Sequence, residues 1–356
     1  MAQTKTGFQQ SFSLNKVKEF ASKNAIVLVL LFLVVVIGII RNSFWSVENL
    51  INILMISSVR MIIALGEGPI IMTKGVDLSA GRVVGLGAVI AASMLQRPDY
   101  VSRMYMDFPV LPVILPILAA MAAGLVVGLI NGTIVAYLKV PPMIATLGTM
   151  VAVYGIALIY VDRPPQGAMP IGGLREDFTN IGTNSLVSLQ GSGAPNWISD
   201  LRLPYLIIIG AIVVVIMWVL LNKTRLGKNI YAVGANPEAA NVSGVSSAKT
   251  LLFVYTIAGV LYGLAGVLLS ARSGGANATY GQMYELDAIA ACVIGGVSTN
   301  GGVGSVGGIL TGVLIFQVID NGLAVLGVNP NMQLVVKGII IVMAVAIDIR
   351  KYLRKR

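Results

Sequence analysis

PYLIIIGAIVVVIMWVLL, residues 204–221, runs for eighteen residues without a charged side chain. An α-helix needs about 20 apolar residues to cross the hydrocarbon core of a bilayer. Working outward, nine further apolar segments follow the same pattern, at about 25–41, 49–72, 82–96, 110–138, 142–161, 250–271, 284–298, 305–325 and 332–348. The chain of 356 residues is 56% hydrophobic and only 11% charged. A soluble domain carries about 25% charged residues, so lipid is the natural solvent here. The sequence therefore predicts an all-α integral membrane protein of about ten transmembrane helices.

The net charge of +10 is read as topology, because the basic residues fall between the apolar runs. Residues 1–24 carry Lys5, Lys16, Lys18 and Lys23, and no cleavage motif follows 26–40, so they read as a cytoplasmic tail. The connection 222–249 carries Lys223, Arg225, Lys228 and Lys249, and the end, 349–356, is strongly basic. Lys74, Arg82 and Lys139 join them on that side, whereas the other side receives Arg41, Arg97, Arg103, Arg163, Arg175 and Arg202 over longer loops. Both termini are thus expected in the cytoplasm, with 25–348 as one transmembrane domain. The largest outside loop, 162–203, reads either as a plain solvated loop or as one holding a short amphipathic element on the membrane.

Composition removes several chemistries. Without histidine, and with Cys292 as the one cysteine, the chain has no His/Cys metal site and no internal disulfide. A phosphate-binding G-x-x-x-x-G-K-[ST] loop is missing, and RLGKN (225–229) lacks its spacing, so no ATP hydrolysis is expected. The serines have no histidine base, the acids are scattered, and no strongly charged site is evident. Nucleic acid is not an expected partner.

Three polar interruptions remain. GVDLSAGRVVGLG (75–87) sets Asp77, Ser79 and Arg82 beside apolar spans. Asp77 and Ser79 read either as a helix cap on a simple turn or as polar groups facing a path. NPEAANVSG (236–244) has Asn236 to cap, Pro237 for a first helical turn, Glu238 for the helix dipole, and Gly244 to stop. It reads as a connector or as a docking helix for a cytoplasmic partner. Residues 284–308 place Ser298, Asn300, Gly301 and Gly302 in a glycine-rich break. That break reads as tight packing or as a gate, since exposed backbone is tolerated only against protein or water. A weak echo relates 75–92 to 295–315, as in duplicated transporters. Asn131 and Thr146 are polar residues within spans suited to a neutral solute, as are Arg60, Asp320 and Lys337 by position.

GVDLSAG (75–81), GKNIYAVGANPEAANVSGV (227–245) and MYELDAIAACVIGGVSTNGGVGSVGG (283–308) resemble the sugar branch of bacterial ABC importer permeases, the ribose, xylose and galactose permeases. The resemblance covers about 46–352. It implies a multi-pass inner-membrane permease acting as a homodimer over two ABC ATPase subunits, fed by an extracytoplasmic sugar-binding protein. ATP and Mg would then bind the ATPase, leaving this chain with no cofactor. The family's coupling segment falls on Gly234, Asn236, Pro237, Glu238, Ala239, Ala240, Ser243 and Gly244. A path or gate is expected at Asp77, Ser79, Arg82, Asn131, Thr146, Ser298, Asn300, Gly301 and Gly302. The expected cargo is galactose or methyl-galactoside, with ribose or another monosaccharide as the alternative; an ATP-independent transporter is the other class. Glu67 and Gly68-Pro69 depart from the family pattern of small apolar residues, and a kink is expected there.

Overall fold

The computed structural model describes residues 25–164, 167–188 and 202–353. The expected tail 1–24, part of the loop 162–203 and the last three basic residues lie outside the described residues. Helices fall on the apolar segments: α1 (Ala25–Ile40), α2 (Val47–Met72), α3 (Ala80–Met94), α4 (Ile114–Ala136), α5 (Pro142–Val161), α7 (Tyr205–Lys223), α10 (Ser247–Ser273), α11 (Tyr284–Ile294), α12 (Val306–Val325) and α13 (Pro330–Leu353). Among the described residues, six helices (α2, α4, α5, α7, α10 and α12) are long and apolar enough to cross a membrane. Three further short helices are polar: α6 (Glu176–Thr183), α8 (Arg225–Ala235) and α9 (Pro237–Val242).

Local signals set the boundaries. Ser46, Thr224, Ser246 and Ser305 each accept a backbone N–H in the first turn of the following helix, the usual way to satisfy an orphan donor. The segment expected at 284–298 stops at Ile294, because Gly295 and Gly296 follow and Gly296 adopts φ +82°. Within α2, Pro69 leaves the Leu65 carbonyl without its helical donor, yet the helix continues to Met72.

The core is built on α10. It packs against α2, α3 and α4, and Tyr255 and Tyr262 are fully buried in it. Backbone touches backbone along the α4–α10 crossing. A methyl group on Gly124 would overlap the Gly259 carbonyl, and one on Gly128 would overlap the Tyr255 carbonyl. Lipid tails give helices no hydrophobic reason to associate, so small residues that permit such approach hold the bundle together. Gly128→Leu is therefore expected to cost about 1–3 kcal/mol of stability. Gly155→Leu is the control, since a Cβ there meets nothing within 4 Å. Thermal unfolding in detergent should separate the two; equal melting would refute the crossing's importance.

The loop 162–203 is not plain. It carries α6 and a strand, β1 (Ser185–Ser188), paired antiparallel with β2 (Arg202–Pro204). The amphipathic element considered there is present, but its apolar side chain Phe178 is fully buried in the protein core, with Gly182 against the backbone of Ala271 and Arg272. Backbone bridges Gln96–Leu174 and Ile171–Ala276 tie the loop to the ends of α3 and α10.

Candidate functional site

The turn between α2 and α3 folds back into the bundle. Asp77 N–H donates to Glu67 Oε1 at 2.9 Å, level with a residue five positions before the end of α2. That is a return of about 7 Å at 1.5 Å rise per residue. Backbone polar groups at such depth must be satisfied by protein. Glu67 of α2 and Thr146 of α5 do so directly, and Tyr262 of α10 and Asn131 of α4 hold the side chains around them. Glu67 also accepts the Tyr262 hydroxyl at 2.8 Å. Asp77 Oδ1 accepts the Ser79 N–H at 2.9 Å and the Ser79 hydroxyl at 2.6 Å. Asn131 Nδ2 donates to Ser79 Oγ at 2.9 Å. Thr146 Oγ1 accepts Leu78 N–H at 3.1 Å and donates to the Val76 carbonyl at 3.2 Å.

Four sequence-predicted residues, Asp77, Ser79, Asn131 and Thr146, thus lie in one buried network. Ser79 does not cap α3 with its side chain as the cap reading expected; its hydroxyl turns back to Asp77. Glu67, noted in the sequence only as a departure from pattern, anchors the network. Arg82 stands apart from it. Expected in a cytoplasmic turn, it sits in the first turn of α3 with its guanidinium 4.2 Å over the Tyr154 ring. The Glu285 carboxylate, from the first turn of α11, lies against the adjacent Gly81. Arg82 Nη1, Glu285 Oε2, Asn131 Oδ1 and Tyr255 Oη are all buried polar atoms with no protein partner.

The end of α2, the end of α8 and the glycine-rich break before α12 meet at a second place. The Gly302 N–H donates to the Met72 carbonyl at 2.8 Å, joining the end of α2 to the break before α12. Gly234, near the end of α8, presses on both: a methyl there would overlap the Met72 carbonyl and lie 2.6 Å from Gly302 N. Gly301 and Gly302 take φ +83° and +72°, where a side chain is strained. The Tyr231 hydroxyl donates to the Gly304 carbonyl at 3.0 Å, and Lys74 Nζ reaches the Ala235 carbonyl at 3.4 Å. Ser298 Oγ accepts the Asn300 N–H at 3.3 Å, holding the break's own turn.

Beyond this junction, α9 is laid out as the sequence suggests. Asn236 Oδ1 accepts the N–H groups of Glu238 and Ala239 at 3.0 Å each, Pro237 opens the helix, and Gly244 follows it at φ +82°. Ala240 is buried, whereas Pro237, Glu238, Ala239, Ser243 and Gly244 are exposed and Val242 is 92% exposed. Ser247 ties α9 to α10 through the Pro237 carbonyl at 3.1 Å and Asn241 Oδ1 at 2.9 Å. An Asn236→Ala substitution should cost about 1 kcal/mol of local stability, read as faster amide exchange at Glu238 and Ala239 than in the parent; unchanged exchange would deny the cap its role.

A charged site, not evident from the sequence, is assembled between α2, α11, α12 and α13. Asp320 Oδ2 lies 2.6 Å from Arg60 Nη1 and 2.8 Å from Lys337 Nζ. Asp287 Oδ2 lies 3.6 Å from Arg60 Nη2 and 3.5 Å from Lys337 Nζ. Two cations and two carboxylates sum to zero charge, which is how ionisable groups persist within spans.

An apolar bundle with one polar turn folded to depth and an exposed helix wired to it is a transport architecture. A family model described as "Branched-chain amino acid transport system / permease component" matches residues 49–345. The chain belongs to that permease family. Among its relatives, the galactose/methyl galactoside import permease protein of Haemophilus influenzae is 47% identical over 96% of this chain and 98% of that protein. The protein of the same description from Escherichia coli K12 is 49% identical over 95% of this chain and 97% of its own length. The ribose import permease protein of Bacillus subtilis is 40% identical over 90% of this chain and 91% of its own. No solved structure matches. These relatives are sugar permeases, and the chain is a permease subunit of an ABC sugar importer in the bacterial inner membrane.

Proposed function

We propose that this permease carries galactose or a methyl-galactoside inward as one of two copies, coupled at α8–α9 to a separate ATP-hydrolysing subunit and supplied by an extracytoplasmic binding protein. The chain crosses the membrane about ten times with both termini in the cytoplasm; the charge asymmetry of its loops supports this count. The cargo assignment rests on the two relatives at 47–49% identity. Ribose is the next cargo, from the 40% relative.

One observation carries the coupling: Gly234, Met72 and Gly302 make backbone contacts without intervening side chains. A push on α9 passes through α8 to the α2–α3 turn and to the break before α12 together. The turn bearing Asp77 and Ser79, held by Asn131 of α4 and Thr146 of α5, then acts as the gate's frame. The unpartnered Arg82 and Glu285 atoms face the passing sugar hydroxyls, which donate and accept.

Reconstitution with the cognate ATPase and binding protein tests this. Glu238→Arg, or deletion of 237–240, is expected to abolish ATP-driven uptake of radiolabelled galactose. Undiminished uptake would remove α9 from the coupling, and uptake by the chain alone in ATP-free vesicles would make it a self-sufficient carrier.

A further inference from the structure

A pocket of about 480 Å³ lies where the start of α8, the residues after α9 and the first turn of α10 come together. Three cations line it, Arg225, Lys228 and Lys249, all exposed. Their direction follows from the helix period. On α8, Gly227, Ile230 and Gly234 are buried against the bundle, so Arg225 and Lys228, three residues apart, share the opposite side. Among the described residues, none of the three has an ion-pair or side-chain hydrogen-bond partner, and no carboxylate lines the pocket.

Folding does not ask for cations here. Arg225 opens α8 and Lys249 stands in the first turn of α10, where the helix dipole is positive and repels them. Membrane orientation does not ask for these positions either. A basic residue orients the chain as well from the C-terminal end of a span, the place Lys223 takes in the last turn of α7. Unanswered cations at two helix starts fit an anion from outside the chain. A second copy related by a two-fold axis would bring the same positive charges to a shared contact. A lipid would leave its acyl chains beside a pocket whose apolar side chains are Leu226 and Val245 alone. A protein carboxylate needs no such bed. Gly244, exposed just after α9, is part of the pocket wall, and Ser247 ties α9 to the first turn of α10. Whatever sits on α9 therefore lies against the pocket as well.

We propose that this pocket is an electrostatic docking site for the ATP-hydrolysing subunit, taking carboxylate side chains of that subunit beside its contact with α9. The proposal rests on the coupling of α9 to the same subunit. The cations speed and strengthen assembly, and α9 passes on the movement.

The test is the Kd of the purified ATPase subunit for the permease in phosphatidylcholine nanodiscs, at low and high salt. The triple variant Arg225→Gln/Lys228→Gln/Lys249→Gln is expected to bind about tenfold more weakly at low salt, with a flattened salt dependence. At saturating ATPase its uptake per ATP hydrolysed should equal the parent's. Its melting temperature should not fall, because the lost charges opposed two helix dipoles. Parent affinity and salt dependence in the triple variant would overturn the site. So would a lower melting temperature, which would make the cations part of the fold. Weaker binding that appears only in phosphatidylglycerol nanodiscs would also overturn it, by giving the pocket to a lipid head group. Deletion of 237–240 tests α9 separately. If that deletion leaves binding and uptake intact while the triple variant binds weakly, α9 is not the coupling helix and the pocket docks the subunit without it.

Discussion

Asp320→Asn is expected to cost the permease about 3–5 kcal/mol, the penalty of removing one partner from a buried ion pair. Asp320 holds both cations at once, at 2.6 and 2.8 Å, whereas Asp287 stands at 3.5 Å or more from each. Without Asp320, two positive charges face one carboxylate among apolar helices. Adding Lys337→Met should recover most of the loss, because Arg60 and Asp287 then balance and a methionine fits beside Phe316, over whose ring Lys337 now lies at 5.7 Å. A double-mutant cycle on thermal unfolding in detergent reads the coupling. If the single variant melts with the parent, the four charges contribute nothing to the fold and the account of how α11–α13 are held to α2 is wrong.

The second large effect is expected at Gly234. Gly234→Val drives a branched side chain into the Met72 carbonyl and the Gly302 N–H. Overpacking of this kind costs about 1–3 kcal/mol. Expressed as a coupling energy, that is about a 5- to 150-fold loss. In the proposed reading the loss falls on uptake per ATP hydrolysed, while ATP hydrolysis by the partner subunit continues. Val242→Ala, at a 92% exposed position on α9 away from the junction, should leave the backbone contacts intact and change that ratio little. Equal losses of uptake and hydrolysis in Gly234→Val would instead mean that the complex fails to assemble.

Much of this was legible in the sequence, and the limits have physical reasons. The spans could be read because lipid demands long uncharged runs, and α9 because caps are local: Asn236, Pro237 and Gly244 act within three residues of their own positions. Asp77, Ser79, Asn131 and Thr146 could each be picked as polar residues near or in spans. That they share one network depends on helices 52 to 70 residues apart in the chain, and no local rule carries that information. Glu67 announced itself as a charge beside a proline, but its partners, Asp77 and Tyr262, lie on a different turn and a different helix. The four charges looked scattered because Arg60 and Asp320 are 260 residues apart. The glycines at 124, 128 and 132, spaced four apart, are a readable sign of close helix packing.

In the proposed coupling, α8 and the two turns it touches move as one body. A Cβ placed on Gly302 would lie 3.1 Å from the Ala235 Cβ, near the 3.5–4.5 Å that a disulfide spans. Cys292, the native cysteine, is buried, so an Ala235→Cys/Gly302→Cys pair can be oxidised selectively. Because a side chain at Gly302 is strained (φ +72°), uptake by the reduced variant is first matched to the parent in the reconstituted importer, and uptake is then measured oxidised and reduced. Equal ATP-driven uptake is expected in both states, because the linked elements never part during the cycle. Uptake that stops on oxidation and returns on reduction would show that they separate, and would contradict it.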